Sequence, residues 1–432
     1  MVQAVKELYE HYAFLLLQNL PRASYVSIDQ HAYRTDTLFE GFKLVPPGIH
    51  CLTWQSAGYA DDRQDALATE GIRSALFLYT KEKDVLSRTY DPASDAWLTP
   101  PGTDASTQLL VSRDHLQSMD KSLAPYPVDD YALWQNMTRY LQKSRATLAR
   151  IFHVDAHTGD AMCDSFTSMS DREARVNVHD LRHTYRSQMQ GKASSPMSSV
   201  PSLAFTPFSL AHSWPPDAHG AERTRWSMDK SWLLEDVMSR ACAAEHHGPS
   251  LAHEPLLREF ELSFLLFRCT NNAAALDHWA AIISLFCRAA SYLGAPAPHA
   301  LHPCEWDADR PASAPMVTSS SHLEAHLGWL EALVAQWQAL PPHIWTDDLA
   351  SYEAPILDDL ACLRANIGRS LSAWAAMTSS TTTDHERLVN AWRDLSSISH
   401  ARFAWSLDQL LDEEVEADDF EEGADAPVIV HI

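Results

Sequence analysis

The spacing of hydrophobic residues changes along the chain, and this change constrains the fold more than any other feature. Residues 25–28 and 49–54 follow an extended, half-buried pattern that is typical of β-strands. Residues 273–293 instead repeat apolar side chains every three or four positions, which is typical of an amphipathic helix. The chain is therefore predicted to be α+β: a β-rich N-terminal domain, sandwich- or barrel-like with closing helices, followed by an all-helical C-terminal domain.

The predicted elements follow these two periods. Strands are expected at 14–20, 25–28, 42–45, 49–54 and 74–79, with a hairpin tip at 81–84, and helices at 114–123 and 130–151 close the domain. Six C-terminal helices are expected: one capped by Asp229, then 256–268, 273–293, one opened by a capping box at 321–324, 354–377, and one from a second capping box at 383–386 to residue 411. Six helices with short connections predict a bundle or a short superhelix.

Composition indicates where the two domains are joined. The segment 191–204 has five Ser and two Pro among fourteen residues, too little apolar material for a core. The predicted organisation is a β-rich domain at 13–165, a linker at 166–226 that is mobile around 190–204, a helical domain at 227–411, and an acidic tail with a terminal β-strand at 412–432.

The charge balance narrows the class of partner. The chain has 33 Lys and Arg against 57 Asp and Glu, a formal net charge of −24. Because a surface this acidic repels phosphates, we expect no direct nucleic-acid binding and favour a basic protein partner. With only 13 Gly, the chain has little material for loops that cradle nucleotides.

Cysteine usage and hydropathy indicate a soluble intracellular protein. The seven Cys residues are an odd number without a C-x-x-C pair, unlike a secreted disulfide framework or a zinc ribbon. No stretch approaches the roughly 18–20 apolar residues that are needed to cross a bilayer. The early apolar run at 13–17 is too short for the core of a signal peptide. We expect no membrane interaction.

The C-terminal tail carries much of the charge imbalance. Residues 408–425 hold ten acidic side chains and no basic one, and the β-branched residues Val428, Ile429 and Val430 follow. Two interpretations stay open on the tail alone. In the first, the tail makes no contact with a partner, because it is solvated or returns as a strand to the chain's own sheet. In the second, it is a strand on an acidic tether that pairs with an exposed sheet edge of a partner.

The sequence contains no recognisable catalytic or metal-binding motif. Three His pairs have the i, i+4 spacing of a helical chelate, but none forms H-E-x-x-H or has a third ligand at motif spacing: His153/His157, His179/His183 and His322/His326. Cys287 and His278 lie about 13 Å apart along one helix, too far for a nucleophile–base pair. We therefore predict no enzyme, no catalytic residue, no metal and no cofactor. The alternative is a hydrolase or a metal-dependent enzyme that uses His50, Cys51 or one of the His pairs.

Five segments, in order along nearly the whole chain, resemble the a1-alpha2-repression family of splicing factors. They are residues 42–50 with the turn Pro46-Pro47-Gly48, residues 123–127 with Pro125-Tyr126-Pro127 followed by Trp134, residues 227–229, residues 261–264 together with 277–288 around Trp279, and the ending 426–430. The chain departs from the family pattern at Ala124, where Gly is common, in the Ser-rich connector, in the Pro-rich loop at 294–315 and in the long acidic run.

This resemblance implies a non-catalytic factor that assists assembly of the U5 small nuclear ribonucleoprotein in pre-mRNA splicing. The implied partner is the large U5 core protein, bound through its RNase H-like and MPN-like domains. Pro427, Val428, Ile429 and Val430 of the tail are expected to add a strand between those domains. The factor is expected to delay helicase and RNA binding, to occur in the cytoplasm and the nucleus, and to be monomeric when free. A helical adaptor unrelated to splicing is a further alternative.

The remaining motif residues are predicted to be structural. They are Pro46, Pro47, Gly48, Pro125, Tyr126, Pro127 and Trp279. Gly48 is expected to adopt a backbone conformation that is costly for residues with a Cβ, and Trp279 is expected to lie in a helical core.

Overall fold

The computed structural model contains a β-rich region followed by a helical region. It describes residues 11–21, 24–36, 38–55, 73–92, 96–98, 116, 118–152, 160–165, 167, 203–245, 253–294, 320–346, 349–377 and 383–407. The predicted α+β fold class is confirmed, with two sheets near the N-terminus and long helices toward the C-terminus.

Ten strands form two five-stranded sheets within the described residues. In chain order they are β1 (Ala13–Gln18), β2 (Tyr25–Ile28), β3 (His31–Arg34), β4 (Gly41–Val45), β5 (Gly48–Gln55), β6 (Ser74–Thr80), β7 (Val85–Asp91), β8 (Ala96–Leu98), β9 (Leu123–Pro125) and β10 (Ala161–Asp164). The strand orders are β8-β7-β1-β4-β9 and β10-β6-β5-β2-β3. The sequence did not predict β3, β8, β9 and β10, which are short and, unlike Tyr25–Ile28, contain no β-branched residue.

One hydrophobic core joins side chains from both sheets. Its strand residues include Leu15, Leu17, Val26, Ile28, Phe42, Leu52, Trp54, Leu76 and Leu78, all essentially inaccessible to solvent. Trp54 of the second sheet meets Trp97 of the first edge to face, with ring centroids 5.8 Å apart. The β-rich region is thus a sandwich.

Nine α-helices lie within the described residues. They are α1 (Tyr131–Met137), α2 (Ala146–Ile151), α3 (Gly220–Met228), α4 (Ser231–Ala244), α5 (Glu254–Thr270), α6 (Ala273–Cys287), α7 (Ser320–Ala339), α8 (Ala350–Met377) and α9 (Thr383–Phe403). No predicted element corresponds to α3, which has no buried residue and therefore no apolar stripe. Within this part of the chain, no helix is long and apolar enough to span a membrane.

The helix α5 explains why two strands of the second sheet, β5 and β6, are buried on both faces. It contacts β5 and β6, and all its residues except Arg268 are buried. As a result, β5 is buried along six of its eight residues instead of alternating between core and solvent.

The prediction that two helices, at 114–123 and 130–151, close the β-rich domain is partly wrong. Residues 123–125 form β9, which pairs parallel to β4. The predicted helix at 130–151 is interrupted between α1 and α2, where Leu141–Lys143 is a 3₁₀ turn. The Glu261 carboxylate accepts hydrogen bonds from the backbone N–H groups of Tyr140 and Leu141. Because a continuous helix needs these donors for itself, the long-range contact breaks it.

The last helix ends eight residues before the predicted position, at Phe403. Ala404 has a φ of +58°, which terminates the helix. The backbone N–H of Trp405 then donates to the Ser399 carbonyl oxygen at 3.4 Å. The Trp405 ring lies 4.8 Å from Trp345 and 5.5 Å from Trp337, measured between centroids. These aromatic contacts stabilise the turn after α9. Hydrophobic periodicity in the sequence does not predict them.

The chain divides into two compact units. The first contains Met1–Phe208 and Glu235–Ile282, and the second contains Ser209–Leu234 and Ile283–Ile432. The predicted domain boundaries stay predictions, and residues 190–202 of the expected mobile segment lie outside the described residues. Its last two residues are packed within the first unit, since Leu203 is fully buried and the Ala204 N–H bonds to the Ile151 carbonyl.

Candidate functional site

The Pro46-Pro47-Gly48 turn links a strand of one sheet to a strand of the other. Gly48 has a φ of +142°, a conformation that side chains with a Cβ rarely adopt, although no atom lies within 4 Å of a Cβ built there. The Pro46 carbonyl oxygen accepts hydrogen bonds from His50 Nε2 at 2.7 Å and from Thr80 Oγ1 at 2.6 Å. Backbone conformation and side-chain contacts therefore both define the turn.

Asp29 is the centre of a buried hydrogen-bond network near this turn. Its Oδ2 lies 2.6 Å from both His50 Nδ1 and the Tyr126 hydroxyl, and its Oδ1 accepts the Cys51 N–H at 2.9 Å. Burial, followed by the neighbouring carboxylate, raises the pKa of Tyr126, so its hydroxyl stays protonated and donates. One carboxylate thus holds β2, β5 and the Pro125-Tyr126-Pro127 segment together.

Both ring nitrogens of His50 are occupied by these contacts. Nε2 must carry a hydrogen, since the Pro46 carbonyl can only accept, and Nδ1 is paired with Asp29. The side chain is 1% exposed. Cys51 beside it is fully buried, and burial raises the pKa of its thiol well above the usual value. Neither residue presents a base or nucleophile to a substrate, so the geometry disfavours a hydrolase at His50 or Cys51.

Further hydrogen bonds connect the second motif to the first. The Trp134 indole N–H donates to the Ile49 carbonyl at 2.8 Å, and the Tyr131 hydroxyl donates to the Pro47 carbonyl at 3.2 Å. The backbone N–H of Tyr126 donates to the Lys43 carbonyl at 3.0 Å. The residues that resemble one family at two places in the sequence therefore form one structural cluster.

A partly apolar surface lies beside this cluster. Val128 is 59% exposed and Leu38 is 62% exposed, two of three large hydrophobic residues with high exposure in the described part of the chain. The Tyr33 hydroxyl donates to the exposed Pro125 carbonyl at 3.2 Å, and the Tyr33 ring meets Phe42 edge to face. Leu38 follows the end of β3 by four residues, and Val128 follows the end of β9 by three.

Buried charges on α5 form a second network. Arg258 is fully buried and donates to Glu245 at 2.7 Å, to Thr147 at 2.8 Å and to Glu254 at 3.3 Å. Glu245 also lies 3.3 Å from Arg150 and Glu254 lies 2.7 Å from Lys143, so each of these carboxylates has a second cationic partner. The network links α5 to α2 and to the end of α4.

Glu259, also on α5, belongs to the same network of buried charges. Its carboxylate accepts hydrogen bonds from the Thr206 N–H at 2.9 Å and from Arg150 Nη2 at 2.5 Å, and it lies 3.3 Å from His278 Nε2. Burial alone would raise the pKa of Glu259, but His278, Arg150 and Thr206 outweigh burial and lower it to about 2. Glu259 is therefore ionised, and the His278 ring stacks on Phe205 at 4.4 Å.

Glu261 belongs to the motif 261–264, and its pKa is shifted in the direction opposite to that of Glu259. Burial raises its pKa to about 8, although the N–H donors of Tyr140 and Leu141 act to lower it. Its oxygens lie 2.8–3.0 Å from these two nitrogens. The side chain positions the 3₁₀ turn at Leu141–Lys143, and this role is structural.

Asp229 holds the start of α4 in the second unit. Its Oδ1 accepts the Ser231 N–H at 3.0 Å, as a capping residue does, and its Oδ2 accepts the Ser291 N–H at 3.2 Å. The predicted cap at Asp229 is confirmed by these contacts. They also fix the short turn Ser291–Leu293 to the start of the helix.

Trp279 and Cys287 of α6 are both fully buried. The Trp279 indole packs among Phe260, Phe264 and Phe267 of α5, with ring centroids 5.7–6.4 Å apart. Burial raises the pKa of the Cys287 thiol well above its usual value. Both side chains therefore belong to the core.

Two of the three His pairs, and the tail, lie outside the described residues: His153/His157, His179/His183 and Pro427, Val428, Ile429 and Val430. In the third pair, His326 is buried, and burial lowers its pKa to about 4. His322 stacks on Tyr292 with centroids 3.8 Å apart. Among the described residues, no group of three or more His, Cys, Asp or Glu side chains can hold a metal ion.

The sequence analysis did not identify Asp29, the centre of the buried hydrogen-bond network. Asp29 and Gln30 have φ values of +49° and +73°, which define a two-residue hairpin turn between β2 and β3. The available signal was an Asp at a turn directly after the strand 25–28. The charge network of α5 has no comparable signal, since Thr147 lies 111 residues from Arg258 and Arg150 lies 109 residues from Glu259.

Comparison with known proteins matches the N-terminal and C-terminal parts of the chain to two models of one family. The family model described as the AAR2 N-terminal domain matches residues 11–153, and the one described as the AAR2 C-terminal repeat region matches residues 205–408. The relative named Protein AAR2 homolog from Mus musculus is 26% identical over 297 residues, 68% of this chain and 73% of the relative. The Homo sapiens protein of that name is 25% identical over 292 residues, 66% of this chain and 72% of the relative.

The fold and the site define an α+β protein whose two turn motifs are joined by structural hydrogen bonds around the buried residues Asp29, His50 and Tyr126. The chain belongs to the AAR2 family. This membership is consistent with a splicing-related, non-enzymatic assembly factor. The family models and relatives do not carry the label a1-alpha2-repression, so that part of the resemblance stays a prediction.

Proposed function

We propose that this chain is a non-catalytic assembly factor of the U5 small nuclear ribonucleoprotein in pre-mRNA splicing. It binds the RNase H-like and MPN-like domains of the large U5 core protein and prevents helicase and RNA from binding these domains too early. It acts in the cytoplasm and the nucleus, and it is a monomer when free. The observation that carries the proposal is the match of both regions to AAR2 family models.

The terminal strand is the element proposed to reach the partner. Pro427 lacks an N–H and marks the strand's first residue, where a missing donor is tolerated. Val428, Ile429 and Val430 can pair through their backbone with an exposed sheet edge, while alternate side chains enter pockets. The acidic run 408–425 draws the tail to a basic, RNA-binding face and raises the local concentration of the strand.

Titration of a recombinant U5 fragment holding the two domains tests this function. The full-length chain is compared with a chain lacking residues 426–432 and with a control in which these residues are replaced by Gly and Ser at equal length. We expect both variants to bind at least about tenfold more weakly, because the strand pairing is lost, with an unchanged melting temperature.

Two results would contradict the proposal in different ways. If the truncated chain binds as tightly as the full chain, the folded domains alone make the interface and the strand has no role. If the full chain fails to bind the two-domain fragment and retrieves no U5 proteins from native extract, the function itself is wrong. An adaptor unrelated to splicing would then be the better interpretation.

A further inference from the structure

The strand β3 is the last strand of the second sheet. It follows β2 in the order β10-β6-β5-β2-β3, and within the described residues β2 is the one strand paired with it. Three of its four residues are exposed: His31, Ala32 and Arg34. An edge strand of this kind presents backbone donors and acceptors that another chain can use.

The register determines which backbone groups point outward. Ile28 pairs with His31 and Val26 with Tyr33 across the two-residue turn, and the Thr35 N–H donates to the Ser24 carbonyl at 3.0 Å. The odd-numbered residues of β3 therefore form the hydrogen bonds to β2. In an antiparallel pair the intervening residues direct N–H and C=O away from the partner strand. Ala32 and Arg34 thus present two N–H and two C=O groups along the outer edge.

The surroundings of this edge combine apolar and acidic side chains. Leu38, which is 62% exposed, follows β3 by four residues, and the side chains of Asp36, Asp129 and Asp130 are also exposed. Asp130 Oδ2 lies 3.5 Å from His31 Nδ1, which brings the segment after Pro127 to the start of β3. Acidic side chains therefore outnumber the single Arg of β3, and the whole chain carries a net charge of −24.

We propose that the outer edge of β3 is a docking site for an extended, basic, β-branched segment of a partner protein. The segment adds to the sheet as a sixth strand, hydrogen-bonded to Ala32 and Arg34, with its Lys or Arg side chains near Asp36 and Asp130. A second copy of this chain is a poor occupant, because two chains with a charge of −24 repel each other. The inference takes from the proposed function only that the chain binds proteins, and it does not involve the tail.

The test measures binding of a labelled synthetic peptide to the full-length chain by fluorescence anisotropy. The probe is a nine-residue peptide that alternates Val with Lys and Thr, and its charge control has Glu in place of Lys. The decisive variant is Ala32→Pro, which removes an N–H that points outward and leaves the bonds to β2 intact. The matched control is Ala32→Thr, which keeps that N–H.

We expect the Lys peptide to bind the wild-type chain and Ala32→Thr alike. Ala32→Pro should bind at least about tenfold more weakly, because a main-chain hydrogen bond and close approach of the strand are lost. The Glu peptide should also bind at least about tenfold more weakly, because its charges face acidic side chains. The melting temperature of Ala32→Pro should match the wild type. If this variant does not fold, a Lys peptide N-methylated at alternate residues replaces it, and it should lose binding to the wild-type chain.

Several outcomes would overturn the proposal. These are no binding of the Lys peptide to the wild-type chain, equal binding by Ala32→Pro or the N-methylated peptide, and equal binding of the Glu peptide. Self-association of the wild-type chain that Ala32→Pro abolishes would assign the edge to a second copy instead. None of these outcomes uses a U5 protein, so failure here is distinguishable from failure of the proposed function.

Discussion

At the scale of single residues, two glycines next to the sandwich core meet different constraints. A Cβ on Gly41 would lie 2.0 Å from the Leu15 carbonyl oxygen of the neighbouring strand, and φ there is +135°. Gly48 has a similarly unfavourable φ of +142° but open space around the Cβ position. Both positions require glycine for backbone reasons, and only Gly41 requires it for steric reasons as well.

The glycine prediction compares Gly41→Ala with Gly48→Ala by chemical denaturation. We expect Gly48→Ala to lower the free energy of unfolding by about 1–3 kcal/mol, the usual cost of a strained backbone conformation. Gly41→Ala should cost more, because β1 and β4 must also separate. Gly48→Val should destabilise the N-terminal region as well. An unchanged melting temperature in either Gly48 variant would show that this turn is not constrained by its backbone.

Asp29 is the residue whose replacement should disturb most contacts at once. Asp29→Ala leaves the Tyr126 hydroxyl, the Cys51 N–H and His50 Nδ1 without their acceptor. We expect a loss of at least about 2 kcal/mol in the free energy of unfolding, because unsatisfied buried polar groups are costly. Asp29→Asn is the matched control, since Asn tolerates the positive φ and keeps one acceptor. Equal stabilities of wild type and Asp29→Ala would mean that the network does not stabilise the fold.

At the scale of elements, periodicity predicted what local sequence determines. The strands at 25–28 and 74–79 and the helices α5 and α8 lie close to their expected positions, because each has a long or clear apolar pattern. The helix α6 begins where expected but ends at Cys287, six residues before the predicted end at 293. The break between α1 and α2 could not be predicted, since its cause is Glu261, about 120 residues away. At the candidate site, the turn and Gly48 could be predicted from the sequence. The role of Asp29 could not, because it depends on contacts with β5 and Tyr126 that form only in the folded chain.

The break at Tyr140 and Leu141 should depend on pH through Glu261. Its folded-state pKa of about 8 lies above the ordinary value of 4.5, so the folded protein holds this proton more tightly than the unfolded chain. The contribution is fully present below pH 4.5 and is lost as pH rises through 8. Within that window this group should lower the free energy of unfolding by on the order of 1 kcal/mol per pH unit.

The measurement for Glu261 is the pH dependence of unfolding in wild type and Glu261→Gln. Gln cannot ionise but still offers a carbonyl oxygen to the two N–H groups, so the stability difference between the two proteins should shift in favour of Gln from pH 5 to pH 8. Glu261→Ala should be less stable at every pH, because both donors lose their acceptor. Glu259, with a pKa of about 2, is present in both proteins, so its titration cancels in this difference. A constant difference between wild type and Glu261→Gln would show that Glu261 does not titrate there.

At the scale of the whole molecule, the Ser- and Pro-rich composition of 191–202 predicts where a protease cuts first. We expect limited proteolysis to cleave there before any other internal site, because this composition offers little to pack. Mass spectrometry of the earliest fragments identifies the first cleavage site. First cleavage inside α6 (Ala273–Cys287) would contradict the predicted organisation, since that helix is buried over most of its length.

The acidic run at 408–425 should control how fast a basic partner is bound. Replacing its ten carboxylates by Asn and Gln should slow association and flatten the dependence of the association rate on salt, while dissociation changes little. Stopped-flow binding to the two-domain U5 fragment at several ionic strengths measures both rates. A salt dependence that stays unchanged would place the electrostatic attraction on the folded domains.

The cover that α5 provides for β5 and β6 has a consequence during protein synthesis. The ribosome completes β6 at Thr80, but the last residue of α5, Thr270, is added about 190 residues later. At ordinary translation rates this interval lasts roughly 10–40 s. For that time α5 does not cover the apolar side of β5 and β6 at Cys51, which contacts Cys269 of α5. The nascent chain should therefore be a client of ribosome-associated chaperones, and a gene truncated before codon 270 should yield insoluble protein.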